Sequence, residues 1–317
     1  GGSKKQRRPP PQPKINMTTT IIPKTRLDPA LFALIALIAT TACADTQADK
    51  PSEVGDTIPP IRFQDAPFFP MGVFGWPRDD PGFREAGGNV VLKHVGIKGE
   101  VTEAAVAQMQ AVLRDYLDAC REAGVAAVLY PVKVNGRKLY AAAYDRAFRA
   151  DVERFLNAML DVTGKHAQVL GYWTYDEPEN HLWKEWEKRT DAKLSGEQAH
   201  DAFAAWANEQ LGWFANLIRE RDPDGYVMPT VAWWNMYERL APLVDVHVPN
   251  EYPTLKGEPP LSGSLYDVVY DAAKAAEAVR KTDVHSFLYM PGIFDHIGGR
   301  WRGATLEEMR YLWFAPL

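Results

Sequence analysis

Asp176 and Glu177 stand side by side where an aromatic run meets a proline. The run, Gly171-Tyr172-Trp173-Thr174-Tyr175, has the composition of a buried strand. Pro178 cannot donate to a sheet ladder and ends the pairing. A carboxyl half-shielded by rings is pushed toward its neutral, proton-giving form. With a second acid nearby it can protonate a departing oxygen while its partner attacks or activates water, the division of labour in glycosidic-bond cleavage. Glu177 is the candidate proton donor. The competing reading is that Asp176 and Glu177 cap the next segment or pair with Lys and Arg.

Flat amphipathic rings suit the faces of sugars, and the chain carries 10 Trp and 13 Tyr. Trp76, Trp173, Trp233, Trp234, Tyr252 and Trp301 are candidate platforms, and packing is the alternative for each. Trp301 has the strongest case, because Gly298-Gly299-Arg300-Trp301-Arg302-Gly303 reads as a loop. His94, Tyr175 and Asn250 join these rings as candidate substrate contacts near strand ends.

The elements that must position these groups alternate. Strand patterns cover residues 68–74, 89–95, 125–132, 169–175, 226–234, 245–252 and 284–294. Helical spacing covers 102–123, closed by Gly124, and 145–162, with Gly164 just beyond. A long helix begins at Ser195, where Gln198 completes a capping box, and ends before Asp222-Pro223. A last helix is expected over 305–314. Such alternation implies parallel strands and right-handed crossovers. No glycine-rich dinucleotide fingerprint follows the first strand, and chemistry-bearing residues recur at the strands' C-terminal ends. The expected fold is therefore a (β/α)8 TIM barrel. Its eighth strand is missing from the sequence, so the barrel is expected to be truncated before it.

Three segments carry a further likeness. They are Phe69-Pro70-Met71-Gly72-Val73-Phe74-Gly75-Trp76-Pro77, Tyr172-Trp173-Thr174-Tyr175-Asp176-Glu177-Pro178, and residues 245–253. Together they resemble the first, fourth and sixth strands of the clan A-like superfamily of barrel glycoside hydrolases, over residues 68–317. The resemblance implies that Glu177 is the acid/base, although Asp176 stands where that group has Asn. It also implies a nucleophilic Glu at the seventh strand's end, and residues 289–296 hold none. Asp295 and Glu251 are the candidate replacements. A third route is substrate-assisted hydrolysis, similar to the chitinase arrangement, with Asp176 orienting the substrate.

Other chemistries find less support. The histidines 94, 166, 181, 200, 247, 285 and 296 make no His-Glu-x-x-His or His-x-His pattern, so no metal or other cofactor is expected. No Gly-x-Ser-x-Gly elbow marks a serine hydrolase. At a net charge of −5 no basic surplus points to a nucleic-acid partner, and none is expected.

Residues 1–16 are basic and Pro-rich and should be disordered. Residues 17–43 read as a signal peptide: Lys24 and Arg26, then the apolar run 31–38, then Thr41-Ala42-Cys43. The pattern resembles a bacterial lipoprotein signal, with Cys43 as the lipidated residue; a plain secretory signal is the alternative. Residues 44–64 read as a tether and 65–317 as the catalytic domain. Cys120 reads as a small buried residue. The expected protein is exported, held to a membrane by its lipid alone, and acts on a carbohydrate. The rivals are a non-catalytic carbohydrate-binding barrel and a surface scaffold.

Overall fold

The computed structural model describes residues 58–70, 85, 87–190, 194–251, 265–288 and 290–291. The chain opens on a short antiparallel hairpin, β1 (Arg62–Phe63) and β2 (Ala66–Pro67). It continues through β3 (Val90–Ile97), α1 (Glu103–Ala123), β4 (Ala126–Val134), β5 (Arg137–Lys138), α2 (Arg146–Thr163) and β6 (Val169–Tyr172). Next come α3 (Pro178–Arg189), α4 (Glu197–Arg221), β7 (Tyr226–Val227), β8 (Thr230–Val231), β9 (Val246–Glu251), α5 (Leu265–Lys281), β10 (Ser286–Phe287) and β11 (Met290–Pro291).

The wall strands pair in chain order. β3 lies on β4, β4 on β6 and β6 on β7. β8 lies on β9, and β9 on β10 and β11. All these pairs are parallel, and a bridge from Asp176 to Thr230 carries the β6 ladder on to β8. The order never reverses among the described strands. A doubly wound sheet has a reversal where its two halves meet, so this is a barrel wall.

Two separate apolar clusters fit that closure. Val91, Val95, Ala127, Leu129, Tyr172 and Val227 face the helices and pack with residues such as Leu117, Phe155, Phe203 and Phe214. Ala126, Val128, Leu170, Trp173, Met228, Val246 and Val248 form an inner cluster. Alternate residues of one strand thus feed two cores, as the two-residue period requires. Ile61 is buried in the inner cluster, with Phe63 and Phe68 against it. These apolar side chains cover one part of the inner cluster.

Local signals explain most of the elements. The Thr102 hydroxyl accepts from Ala105 N–H at 3.2 Å, and Gly124 ends α1 in the left-handed region. The Asp145 carboxylate accepts from Phe148 N–H at 3.0 Å to start α2. At Gly171 a Cβ would meet the Tyr226 carbonyl oxygen at 2.3 Å, so β6 and β7 approach only because that side chain is absent.

Some expectations are corrected. α4 is preceded by Gly196 at its N-cap, and no capping box forms at Ser195. Pro178 does not merely stop a strand: it begins α3, a helix the sequence reading left out. The expected strand 226–234 splits into β7 and β8 around Met228 and Pro229, and the strand 284–294 appears as β10 and β11. α5 was not foreseen. Residues 71–74 of the first expected strand and the helix over 305–314 lie outside the described residues.

Candidate active site

Glu177 lies past the end of β6, at the N-cap of α3, with φ 48° and ψ 61°, the left-handed region that a β-carbon disfavours. That conformation costs about 1 kcal/mol and is held from both sides. Glu177 N–H donates to the Thr230 carbonyl at 3.0 Å, and His181 N–H donates to the Glu177 carbonyl at 3.2 Å. The turn swings the half-buried carboxyl toward β9. There Asn250 Nδ2 donates to its Oε1 at 2.7 Å, while Asn180 Nδ2, from the first turn of α3, donates to its Oε2 at 2.8 Å. Amide donors on a carboxylate favour its ionised form.

Asp176 sits one residue earlier and is held differently. The Thr230 hydroxyl donates to its Oδ1 at 3.3 Å, and the Tyr130 phenol feels its charge. Burial, with the charges of Asp176 and Glu177 beside it, pushes the Tyr130 phenol well up, so it stays a neutral donor. His94 meets Tyr130 edge-on at 5.2 Å, and Trp173 lies 5.9 Å away on the inner side. Burial and then Lys93 lower the His94 pKa, against the opposing pull of Asp176. His181 stacks on Tyr140 at 4.8 Å and is lowered by burial and then Lys138, with Asp176 again opposing. Both rings are thus biased toward neutral imidazole.

A third acid was missed by sequence reasoning. Glu179 is fully buried, and its Oε1 accepts the N–H groups of Ala232 and Trp233, the latter at 2.9 Å. Burial pushes its carboxyl up to about 7, against the pull of those N–H groups and with a smaller push from Glu177. It ties the start of α3 to the chain leaving β8.

The expected site residues separate into groups. Asp176, Glu177, His94, Trp173 and Asn250 come together around Tyr130 and the end of β6. Tyr175 does not join them: it is buried on the helix side, edge-on to Phe214 at 5.2 Å. Both residues lie beyond the end of β6, where strict alternation no longer holds, and Trp173 joins the inner cluster while Tyr175 joins the helix-side one. Trp234 lies in a 3-10 turn, is 46% exposed and meets Tyr270 of α5 edge-on at 5.6 Å. Glu251 ends β9, but its side chain lies outside the described residues, as do Cys43, Trp76, Tyr252, Asp295 and Trp301. Cys120 is a buried free thiol. Among the described residues no group of three or more His, Cys, Asp or Glu could hold a metal ion, and no helix is long and apolar enough to cross a membrane.

No family profile matches the chain, and no curated protein does. Solved structures do. A β-galactosidase from the psychrophilic Marinomonas ef1 superposes with a TM-score of 0.52 at 12% identity, over 74% of this chain and 48% of that one. β-Glucuronidase 2 of Bacteroides uniformis gives 0.45 at 13% identity, over 73% of this chain and 24% of that one. An endo-1,4-β-mannanase from Eisenia fetida gives 0.37 at 14% identity, over 71% and 79%. The chain therefore spans about half the length of the first and about a quarter of the second. Parallel strands in chain order, two apolar clusters on opposite faces of the wall and the β-galactosidase likeness agree: this chain has a partial (β/α)8-barrel fold similar to that of the β-galactosidase.

Proposed function

We propose that the protein hydrolyses O-glycosidic bonds of an extracytoplasmic polysaccharide or oligosaccharide, with Glu177 as the proton donor. One observation carries this reading. A half-buried carboxyl is held at the end of the β6 ladder by amides from α3 and β9, with Tyr130, Trp173 and His94 nearby. That is the face where barrel enzymes assemble their chemistry. In the protonated state Glu177 gives its hydrogen to the leaving oxygen, and the second acid attacks the anomeric carbon or activates water. Glu179 is tied to backbone N–H groups of the chain leaving β8. The candidates for the second acid are Glu251 and Asp295. In substrate-assisted hydrolysis the attacking group would instead be the substrate's own, with Asp176 orienting it. We also propose export, with lipidation at Cys43 as the membrane tether.

The second reading is a non-catalytic carbohydrate-binding barrel, favoured by the lack of a Glu in residues 289–296. The test is hydrolysis and binding on a broad glycan panel. The enzyme reading expects the wild type to cleave at least one glycan, and Glu177→Gln to bind it without cleaving it. Binding without cleavage by the wild type supports the binder, and neither activity supports a scaffold.

A further inference from the structure

Asn180 has an amide whose two ends are both committed. Its Oδ1 accepts from the Trp233 indole N–H at 2.9 Å, and its Nδ2 donates to Glu177 at 2.8 Å. An indole nitrogen can only donate. The amide oxygen must therefore face Trp233, which leaves the NH2 group facing the carboxyl. Trp233 is itself anchored. Its backbone N–H donates to buried Glu179 at 2.9 Å, and its ring packs on Trp183 at 5.3 Å. The chain of contacts runs from the buried acid, through the chain leaving β8, to the exposed amide of α3 and the site carboxyl.

We infer that Trp233 and Asn180 form a hydrogen-bond relay that orients the Glu177 carboxyl and favours its ionised form, which makes both of them positioning residues. The relay decides which way the amide points, and the amide decides how readily Glu177 holds its proton. Trp233, a candidate sugar platform by sequence, acts here through its N–H rather than its face. Other groups also act on Glu177. Asn250 donates from β9, and the charge of Glu179 is felt across α3. Tyr130 on β4 feels both Glu177 and Asp176. His94 on β3 and His181 on α3 feel Asp176, and Lys138 stands beside His181. None of these would fix the Asn180 amide.

The inference rests on Glu177 as the working carboxyl, and its test reads that carboxyl directly, without any substrate. The Glu177 side-chain resonance is followed by 13C NMR titration of the full chain labelled at glutamate Cδ, with Glu177→Gln providing the assignment. Trp233→Phe keeps the ring and removes the donor. Asn180→Ala truncates an exposed side chain and remains available should the Phe variant misfold. Asn180→Ala removes one bond to a charged acceptor and should raise the Glu177 pKa by about one pH unit, and Trp233→Phe, which frees the amide to turn, should raise it in the same direction. A rise in both supports the relay. A rise with Asn180→Ala and none with Trp233→Phe overturns the role of Trp233, and no rise in either overturns the whole. Because the readout ignores hydrolysis, a failed relay is distinguishable from a failed enzyme reading.

Discussion

Replacing Glu179 with Gln should make the protein more stable at alkaline pH relative to wild type, although Glu179 is buried and hydrogen-bonded. Its Oε1 serves two backbone N–H groups, and Oε2 has no partner among the described residues. Burial raises the carboxyl from 4.5 to about 7. Below pH 4.5 the folded and unfolded chains both hold the proton, and above pH 7 neither does. In between, the folded chain holds more protons, so stability falls as pH rises through that window. A window of about 2.5 pH units at 1.36 kcal/mol each amounts to about 3 kcal/mol. Gln keeps the accepting oxygen and cannot ionise. Urea unfolding of both proteins at pH 5 and pH 8 is the assay, because a change in midpoint at constant m reads stability directly. The free-energy difference should move toward the Gln variant by about 2.5 kcal/mol between the two pH values, because part of the window lies below pH 5. A difference that stays the same at both would refute the reasoning, since the buried acid would not be titrating in the folded state.

Other expectations follow from single contacts. Burial lowers buried His247 to about 4, so the unfolded chain takes its proton first and stability falls as pH drops from 6.5 to 4. In a Glu179→Gln background that loss should reach about 3 kcal/mol by urea unfolding, and a further His247→Leu change should remove it. Gly171→Ala forces a methyl against the Tyr226 carbonyl and should cost about 3 kcal/mol or prevent folding, read by thermal unfolding. Tyr172→Phe removes the hydroxyl that donates to Asp222 at 2.7 Å and lies 3.1 Å from Thr163. It should cost about 1–3 kcal/mol by urea unfolding, because buried polar groups lose their partner.

The barrel was legible because its strands and helices carry their periods openly. Thr102 and Gly124 bound α1, and the apolar runs at 125–132 and 245–252 are close to β4 and β9. α3 was not legible. Its sequence is largely charged and polar, and Pro178 reads equally well as the end of a strand or the first residue of a helix. Glu177 stood out from its place at a strand end. Tyr175 misled because β6 ends at Tyr172, and beyond it the strand's alternation no longer sets which face a side chain takes. Asn180 and Glu179 were invisible as site residues. Their roles depend on Trp233 and Ala232, more than fifty positions away, brought alongside by the β6–β8 bridge.

The proton-donor role of Glu177 is tested most directly by varying the leaving group. Wild type and Glu177→Ala are compared on paired aryl glycosides, one with a dinitrophenol leaving group and one with a poorly acidic alcohol. A proton donor matters most when the departing oxygen is basic. The alanine variant should lose about 100-fold or more on the poor leaving group and far less on the dinitrophenyl substrate. Equal losses on both would contradict that role, and so would wild type that cleaves neither.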